Sequence, residues 1–249
     1  MSAFDESGVY FLRIDTRPTT RYPDVWIIVP AFGEAAVIGD VIAGLRSVFT
    51  AVVCVDDGST DDTAAIARRA GAHVVRHPVN LGQGAAIQTG VEFARRQPGA
   101  RLFATFDADG QHQVADVVRM IERLDSQGLD IVIGTRFAAP EAAAAVPLVK
   151  RLVLRAAVLL NPRIRRLGLS DSHNGLRVFN RRVADRLDLT MNGMSHAGEF
   201  IALISENGWR VGEEPVEVLY TDYSKSKGQP LLNGVNIMFD GLLRKRMSR

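Results

Sequence analysis

Phe103-Ala104-Thr105-Phe106-Asp107-Ala108-Asp109-Gly110-Gln111-His112 joins an apolar, β-type run to two carboxylates and a glycine. In an extended chain, side chains two apart point the same way. Asp107 and Asp109 are therefore expected to face one point beyond the end of a strand. Two hard oxygen donors at that spacing suit Mg2+ or Mn2+, ions commonly shared with substrate phosphates. Asp-Ala-Asp-Gly is also good turn chemistry, and Asp-x-Asp is a common tripeptide. Taken alone, the stretch leaves metal site and plain turn both open.

Strand-like runs ending in polar loops recur on either side of it. Val25-Trp26-Ile27-Ile28-Val29 is wholly apolar, as a strand buried on both faces is. It stops at Pro30-Ala31-Phe32-Gly33-Glu34, after which Val37, Ile38, Val41, Ile42 and Leu45 recur at helical spacing. Ala51 to Val55 predicts a second strand, followed by the loop Asp56 to Asp62, in which Ser59 and Asp62 have capping-box spacing for the next helix. That helix is expected to reach about Ala70, with Gly71 as its C-cap, and a short strand follows at 72–76. Asn80-Leu81-Gly82-Gln83-Gly84 opens a helix running through Arg96. Beyond Asp109, the residues Val114, Val117, Val118, Ile121 and Leu124 share a helical face closed by Gly128, and 130–134 predicts another strand.

Strands alternating with helices call for an α/β fold: a mostly parallel, Rossmann-like sheet flanked by helices, here in a single domain. Ligands of open α/β sheets sit at the carboxyl ends of the strands. Glu34, Asp56 with Asp57, Asp107 with Asp109, and Arg136 all follow predicted strands, so one cleft is expected to gather them. A carboxylate there, Asp57 above all, can accept hydrogen bonds from a base or a ribose hydroxyl. Gly58 and Ser59 also read as an ordinary turn and cap.

Composition narrows the class. The chain has 249 residues, 47% hydrophobic and 23% charged, with a formal net charge of +2. That is globular composition, and no nucleic-acid partner is expected. Cys54, the single cysteine, excludes an intramolecular disulfide and a Cys-based zinc cluster, and its apolar surroundings predict packing. The first residues lack signal-peptide regions, and no window is long and apolar enough for a membrane span. The expected location is cytoplasmic, at the inner face of the cell membrane if the basic helices described next dock there. His73, His77, His112, His173 and His196 lack metal-ligand spacing and are expected to be non-ligands.

The second half is less regular. Residues 1–23 read as an N-terminal arm, 24–230 as the domain, and 231–249 as a C-terminal amphipathic basic helix packed on it or extending from it. A strand-like run at 175–179, a short helix, a helix at 197–206 ended by Asn207-Gly208, and extended chain at 209–220 broken near Pro215 precede that helix. Lys150 to Arg166 is a basic, leucine-containing segment. It fits a helix packed on the core with its charges in water, and also a peripheral contact with anionic lipid.

The motifs Val29-Pro30-Ala31-Phe32-Gly33-Glu34, Val55-Asp56-Asp57-Gly58-Ser59-Thr60-Asp61, Asn80-Leu81-Gly82-Gln83-Gly84 and Asp107-Ala108-Asp109-Gly110-Gln111-His112 occur in order, followed by Gly134-Thr135-Arg136-Phe137 and Asp171-Ser172-His173-Asn174-Gly175-Leu176-Arg177. Each is weak alone; in sequence over about residues 24–230 they are specific. The chain resembles the nucleotide-sugar glycosyltransferases of family 2, with the GT-A fold, and within them the dolichyl- or polyprenyl-phosphate hexose synthases. The resemblance implies metal-dependent, inverting transfer of a hexose from a UDP or GDP sugar, most often to a lipid phosphate. It also implies roles. Pro30, Ala31, Glu34, Asp57, Gly82, Asp107, Ala108 and Asp109 match the nucleotide-sugar pocket. Asp107, Asp109 and Gln111 match the Mg2+ or Mn2+ side, with Asp109 in the catalytic position. Arg136, Arg155, Lys225 and Lys227 match phosphate or acceptor contacts. Glu199 falls where relatives carry the acid that activates an acceptor hydroxyl. A homo-oligomer is also compatible.

Departures from the family pattern are Gly33 for the usual Asn, Gln83 for the usual Lys, and Leu154 for the usual Ser. Transfer to a hydroxyl acceptor in polysaccharide or glycolipid synthesis, and a non-catalytic nucleotide-sugar binding subunit, are the competing readings. A nucleotidyltransferase is disfavoured because Pro30-Ala31-Phe32-Gly33-Glu34 is neither glycine-rich nor basic. A dinucleotide oxidoreductase is disfavoured because Gly82-Gln83-Gly84 lacks the third glycine of that fingerprint.

Overall fold

The computed structural model describes residues 22–136, 165–171, 174–193 and 195–219. The wholly apolar run at Val25 lies in β1 (Tyr22–Ala31), whose successive side chains enter two different cores. Val25, Ile27 and Val29 pack beneath Ile38, Ile42 and Leu45 of α1 (Ile38–Arg46) and Val117, Met120 and Ile121 of α4 (Val114–Gln127). Trp26 and Ile28 pack on the other face with Ile87 and Val91 of α3 (Gln83–Arg95). A strand covered on both faces has no side that can remain polar.

The remaining strands are β2 (Phe49–Asp56), β3 (His73–Arg76), β4 (Leu102–Thr105), β5 (Ile131–Thr135), β6 (Arg177–Asn180) and β7 (Val211–Pro215). They form a seven-stranded sheet in the order β3-β2-β1-β4-β6-β5-β7. β1 pairs in parallel with β2 and β4, β2 with β3, and β5 with β7. Among the described strands β6 alone is antiparallel, to both β4 and β5. The sheet is thus mostly parallel and flanked by helices, as the alternation predicts. What periodicity does not carry is that the strand after the basic segment enters between β4 and β5 in reverse.

The other helices among the described residues are α2 (Thr63–Arg69), α5 (Arg181–Arg186) and α6 (His196–Asn207). α4 and α6 each end on a left-handed glycine, Gly128 and Gly208, which satisfies terminal carbonyls without a Cβ clash. The capping-box expectation at Ser59 is corrected. α2 starts after Asp62 with no side-chain cap bond there, and Asp61 accepts from the Thr63 N–H at 3.1 Å. The Ser59 hydroxyl instead accepts from Gly33 N–H, 2.9 Å away in another loop. Cys54 is buried, and desolvation with nearby Asp56 pushes its thiol up to about 12. Among the described residues no helix is long and apolar enough to cross a membrane. The expected arm (to residue 21), most of the basic segment and the C-terminal helix lie outside the described residues.

Phe179 of β6 stacks on Phe103 of β4, with centroids 5.9 Å apart, and meets Phe200 of α6 at 6.1 Å. This aromatic column ties the reversed strand to its neighbours. Phe179→Ala is expected to lower unfolding free energy by about 3–5 kcal/mol, read as a drop in urea midpoint at constant slope. An unchanged midpoint would remove the column from the account.

Candidate active site

The site begins with strand register. Ala31 lies beside Asp56, and Ile28 beside Thr105. Each pairing continues past the strand: Asp57 N–H donates to Ala31 O at 2.8 Å, and Phe106 N–H to Ile28 O at 2.9 Å. The loops that open with Phe32, Asp57 and Asp107 therefore leave a single edge together. Pro30, Ala31 and Ala108 are buried at that edge.

The loop carrying Glu34 is fastened by the loop after β2. Gly33, Glu34 and Ala35 donate their backbone N–H groups to Ser59, Thr63 and Asp61 side chains at 2.9, 2.8 and 3.3 Å. Asp57 fastens the third loop. Its buried carboxylate accepts from Leu81 N–H at 2.9 Å and Gly82 N–H at 2.7 Å, and pairs with His77 Nδ1 at 2.7 Å. The other His77 nitrogen meets Thr89 Oγ1 at 2.9 Å. His77 is thus a site residue that spacing did not reveal. Its only signal was proximity to the Asn80–Gly84 motif.

Asp107 and Asp109 occupy the loop after β4. Asp107 Oδ1 accepts from the Gln83 amide at 2.9 Å, and Oδ2 pairs with His112 Nε2 at 3.1 Å. A Cβ on Gly175 would lie 2.1 Å from Asp107 Oδ2, so only glycine leaves this carboxylate its place. Behind it the buried Arg177 guanidinium sits 4.8 Å from the Phe200 ring centre, and burial pulls its pKa down to about 10. Burial would raise the Asp107 carboxyl. The His112 hydrogen bond and the charges of His112 and Arg177 outweigh it and hold the group below the usual range.

Asp109 goes the other way. Burial, then the negative charges of Asp107 and Glu34, push its carboxyl above the usual range, against a bond from Gln111 N–H at 3.0 Å to its Oδ1. Glu34 and Asp107 thus share one electrostatic environment with Asp109, their negative charges raising its carboxyl and the charge of His112 lowering it. The donors are hard oxygens, which fits Mg2+ or Mn2+. Among the described residues no group of three or more His, Cys, Asp or Glu side chains forms a complete cage. A hexacoordinate ion held by one or two carboxylates takes its remaining ligands from water and substrate phosphate, so the residues present fit that ion.

The other expected site residues are placed differently. Arg136 makes a two-pronged pair with Asp171, Nε at 2.6 Å and Nη2 at 2.9 Å. Glu199 turns its carboxylate onto the segment before α6, accepting from Thr190 N–H at 2.9 Å, Thr190 Oγ1 at 2.6 Å and Met191 N–H at 2.9 Å. Gln111 receives Leu219 N–H on its carbonyl at 2.9 Å. Arg155, Lys225 and Lys227 lie outside the described residues. Besides His77, two features are not evident from the sequence. His112 is bound to Asp107, although it stands within the motif itself. Phe32, 52% exposed, and Leu81, 42% exposed, present apolar surface on the same edge.

An open α/β sheet with acidic loops gathered at its carboxyl edge defines a ligand-binding enzyme fold of the GT-A type. The sequence profile of Glycosyl transferase family 2 matches residues 26–188, and the chain belongs to that family; it is a glycosyltransferase. It is 26% identical over 241 residues to the UDP-N-acetylglucosamine--dolichyl-phosphate N-acetylglucosaminyltransferase of Methanococcus voltae, covering 89% of this chain and 96% of that one. It is likewise 26% identical over 234 residues to the polyprenol monophosphomannose synthase of Mycolicibacterium smegmatis, covering 89% and 84%. The similarity to the lipid-phosphate sugar synthases thus stands on whole-length relatives. In fold, it matches the glucosyl-3-phosphoglycerate synthase of Mycobacterium tuberculosis solved with Mn2+ and UDP-glucose, with a TM-score of 0.66 and 19% identity over 86% of this chain and 75% of that one.

His196, buried at the start of α6, has its pKa lowered from 6.5 to about 4 by burial and by the Arg177 charge. Below pH 6.5 the unfolded chain takes up a proton that the folded chain refuses until about pH 4. The stability this group contributes is complete above pH 6.5 and is lost as pH falls through 4, about 3 kcal/mol in all. Between pH 7 and 4, His196→Gln is expected to lose less unfolding free energy than the unsubstituted protein, by about that amount; an identical loss would contradict it.

Proposed function

We propose that this enzyme transfers a hexose from a UDP- or GDP-linked sugar to a polyprenyl or dolichyl phosphate, with inversion at the anomeric carbon and with Mg2+ or Mn2+ bound. The observation that carries the reading is the convergence of Glu34, Asp107 and Asp109 at one edge of the sheet, where burial first, and then the charges of Asp107 and Glu34, raise the Asp109 carboxyl above its usual range. A divalent cation relieves that repulsion. Asp109 and Asp107, with Gln111 beside them, would hold such an ion, which would supply neutralisation of the charge on the departing nucleoside diphosphate.

The chain's own residues supply the rest. Asp107 is anchored by Gln83 and His112, so it reaches the ribose and metal side already oriented. Asp57 holds Leu81 and Gly82 in place and borders the base, with Pro30, Ala31 and Ala108 forming the floor. The exposed Phe32 ring offers a face on which a base can stack; such stacking is worth about 1–3 kcal/mol.

The acceptor assignment rests on the whole-length relatives named for dolichyl-phosphate and polyprenol products. A phosphate monoester, with a second pKa of about 6, is already a nucleophile near neutral pH and requires no general base. Arg155, Lys225 and Lys227 are the basic groups for its charge. Arg136 joins them only by sharing its guanidinium with Asp171. A lipid acceptor implies work at the membrane surface, for which the basic residues of 150–166 and of the expected C-terminal helix are the proposed contact.

Calorimetric titration with UDP and with GDP, with and without Mn2+, is expected to give metal-dependent binding of one nucleotide, weakened about a hundredfold in Asp109→Ala. Unchanged metal-dependent binding in that variant would overturn the site. Screening donors against a polyprenyl phosphate and a hydroxyl acceptor is expected to give transfer to the phosphate. Transfer only to the hydroxyl would overturn the acceptor.

A further inference from the structure

The segment between α5 and α6 lies across the N-terminus of α3 and meets it backbone to backbone. Gly84 N–H, one of the first amides of α3, donates to Asn192 O at 2.8 Å. A Cβ on Gly84 would lie 2.0 Å from Met191 O, and one on Gly82 would lie 2.3 Å from Asn192 O. The segment leaves no room for a side chain at either position, so its course fixes the course of the Asn80–Gly84 loop. Between those two glycines stands Gln83, whose amide holds Asp107.

Two side chains hold the segment. Gln88 of α3 accepts from Leu189 N–H at 3.0 Å and donates to Leu187 O at 3.3 Å. Glu199, in the first turn of α6, takes the next two residues, with both oxygens engaged by Thr190 and Met191. A carboxylate accepting from two backbone N–H groups and a hydroxyl is a strong anchor, because bonds to an ionised acceptor are about twice as strong as neutral ones. It also has both oxygens turned away from the role of proton acceptor.

We infer that Glu199 is a positioning residue, not a base: it latches the segment 190–192 onto the Gly82–Gly84 seam and so sets Gln83 against Asp107 in the donor site. The inference rests on the proposed donor site for its kinetic consequence, but the latch itself is independent of any substrate. Loss of the carboxylate frees Thr190 and Met191, relaxes the Asn192–Gly84 contact, and lets Gln83 drift from Asp107. The reaction chemistry keeps its groups and loses their placement.

The test joins amide hydrogen exchange with kinetics on Glu199→Ala, Glu199→Gln and Thr190→Val. Glutamine keeps an oxygen for Thr190 but meets Met191 N–H with a donor, so it rescues in part. Exchange at Gly84 and Met191 is expected to quicken at least about tenfold in Glu199→Ala, less in Glu199→Gln and Thr190→Val, with β1 amides unchanged as the sign of an intact fold. Donor KM is expected to rise about tenfold in Glu199→Ala while kcat falls less than threefold, with the glutamine variant in between. Loss of kcat by a hundredfold or more in both Glu199 variants, at unchanged KM and unchanged exchange, would make Glu199 the base and overturn the inference. So would unaltered Gly84 exchange in folded Glu199→Ala. Absence of turnover with every nucleotide sugar in the unsubstituted protein would sink the proposed function and leave the exchange result to decide the latch.

Discussion

Parallel pairing of β1 with β2 on one side and β4 on the other is the constraint from which the site follows. Parallel strands end on the same edge, so the residues after them need not be neighbours in sequence to be neighbours in space. Because β1 is central and buried on both faces, its register against β2 and β4 is fixed by two cores at once. A slip of one residue would exchange Ile27 and Ile28 between those cores and carry Glu34 out of line with Asp107. The position of the acidic loops is therefore maintained by packing well away from them.

On that edge the structure distinguishes carboxylates by surroundings. Asp57 is consumed internally, by two backbone amides and a histidine. Asp107 is anchored by a neutral amide and a histidine with a buried arginine behind it. Asp109 has one backbone bond and two acidic neighbours. The first arrangement builds the loop, the second fixes the orientation of a carboxylate, and the third raises a carboxyl above its usual range. One loop chemistry, Asp with Gly after a strand, thus serves three purposes according to what packs around it.

How much of this is legible in the sequence depends on range. The strands, most helix ends and the shared edge follow from local periodicity, because apolar runs and glycine caps act within a few residues. The Asp-Ala-Asp stretch is legible as an oxygen-donor pair for the same reason. The reversed β6 is not, since a four-residue strand has no directional signature and its contacts, Phe179 with Phe103 and Phe200, are long-range. The spacing of Ser59 to Asp62 satisfies a local rule, while the partner of its hydroxyl, Gly33, is 26 residues away. His77, His112 and Glu199 were hard to read for a related cause. A histidine or a glutamate has the same sequence appearance whether it meets water, a ligand or a backbone amide.

In the proposed site, loops far apart in the chain close on one cation and the diphosphate it accompanies. Paramagnetic broadening of backbone amide signals by Mn2+ in the presence of the bound nucleotide reads that placement directly. Broadening confined to residues around Glu34, Asp107 to Gln111 and the Gly82 loop is the result the account predicts. Broadening centred on the opposite edge of the sheet, near Gly128 and Arg210, or spread without focus over the surface, would contradict it.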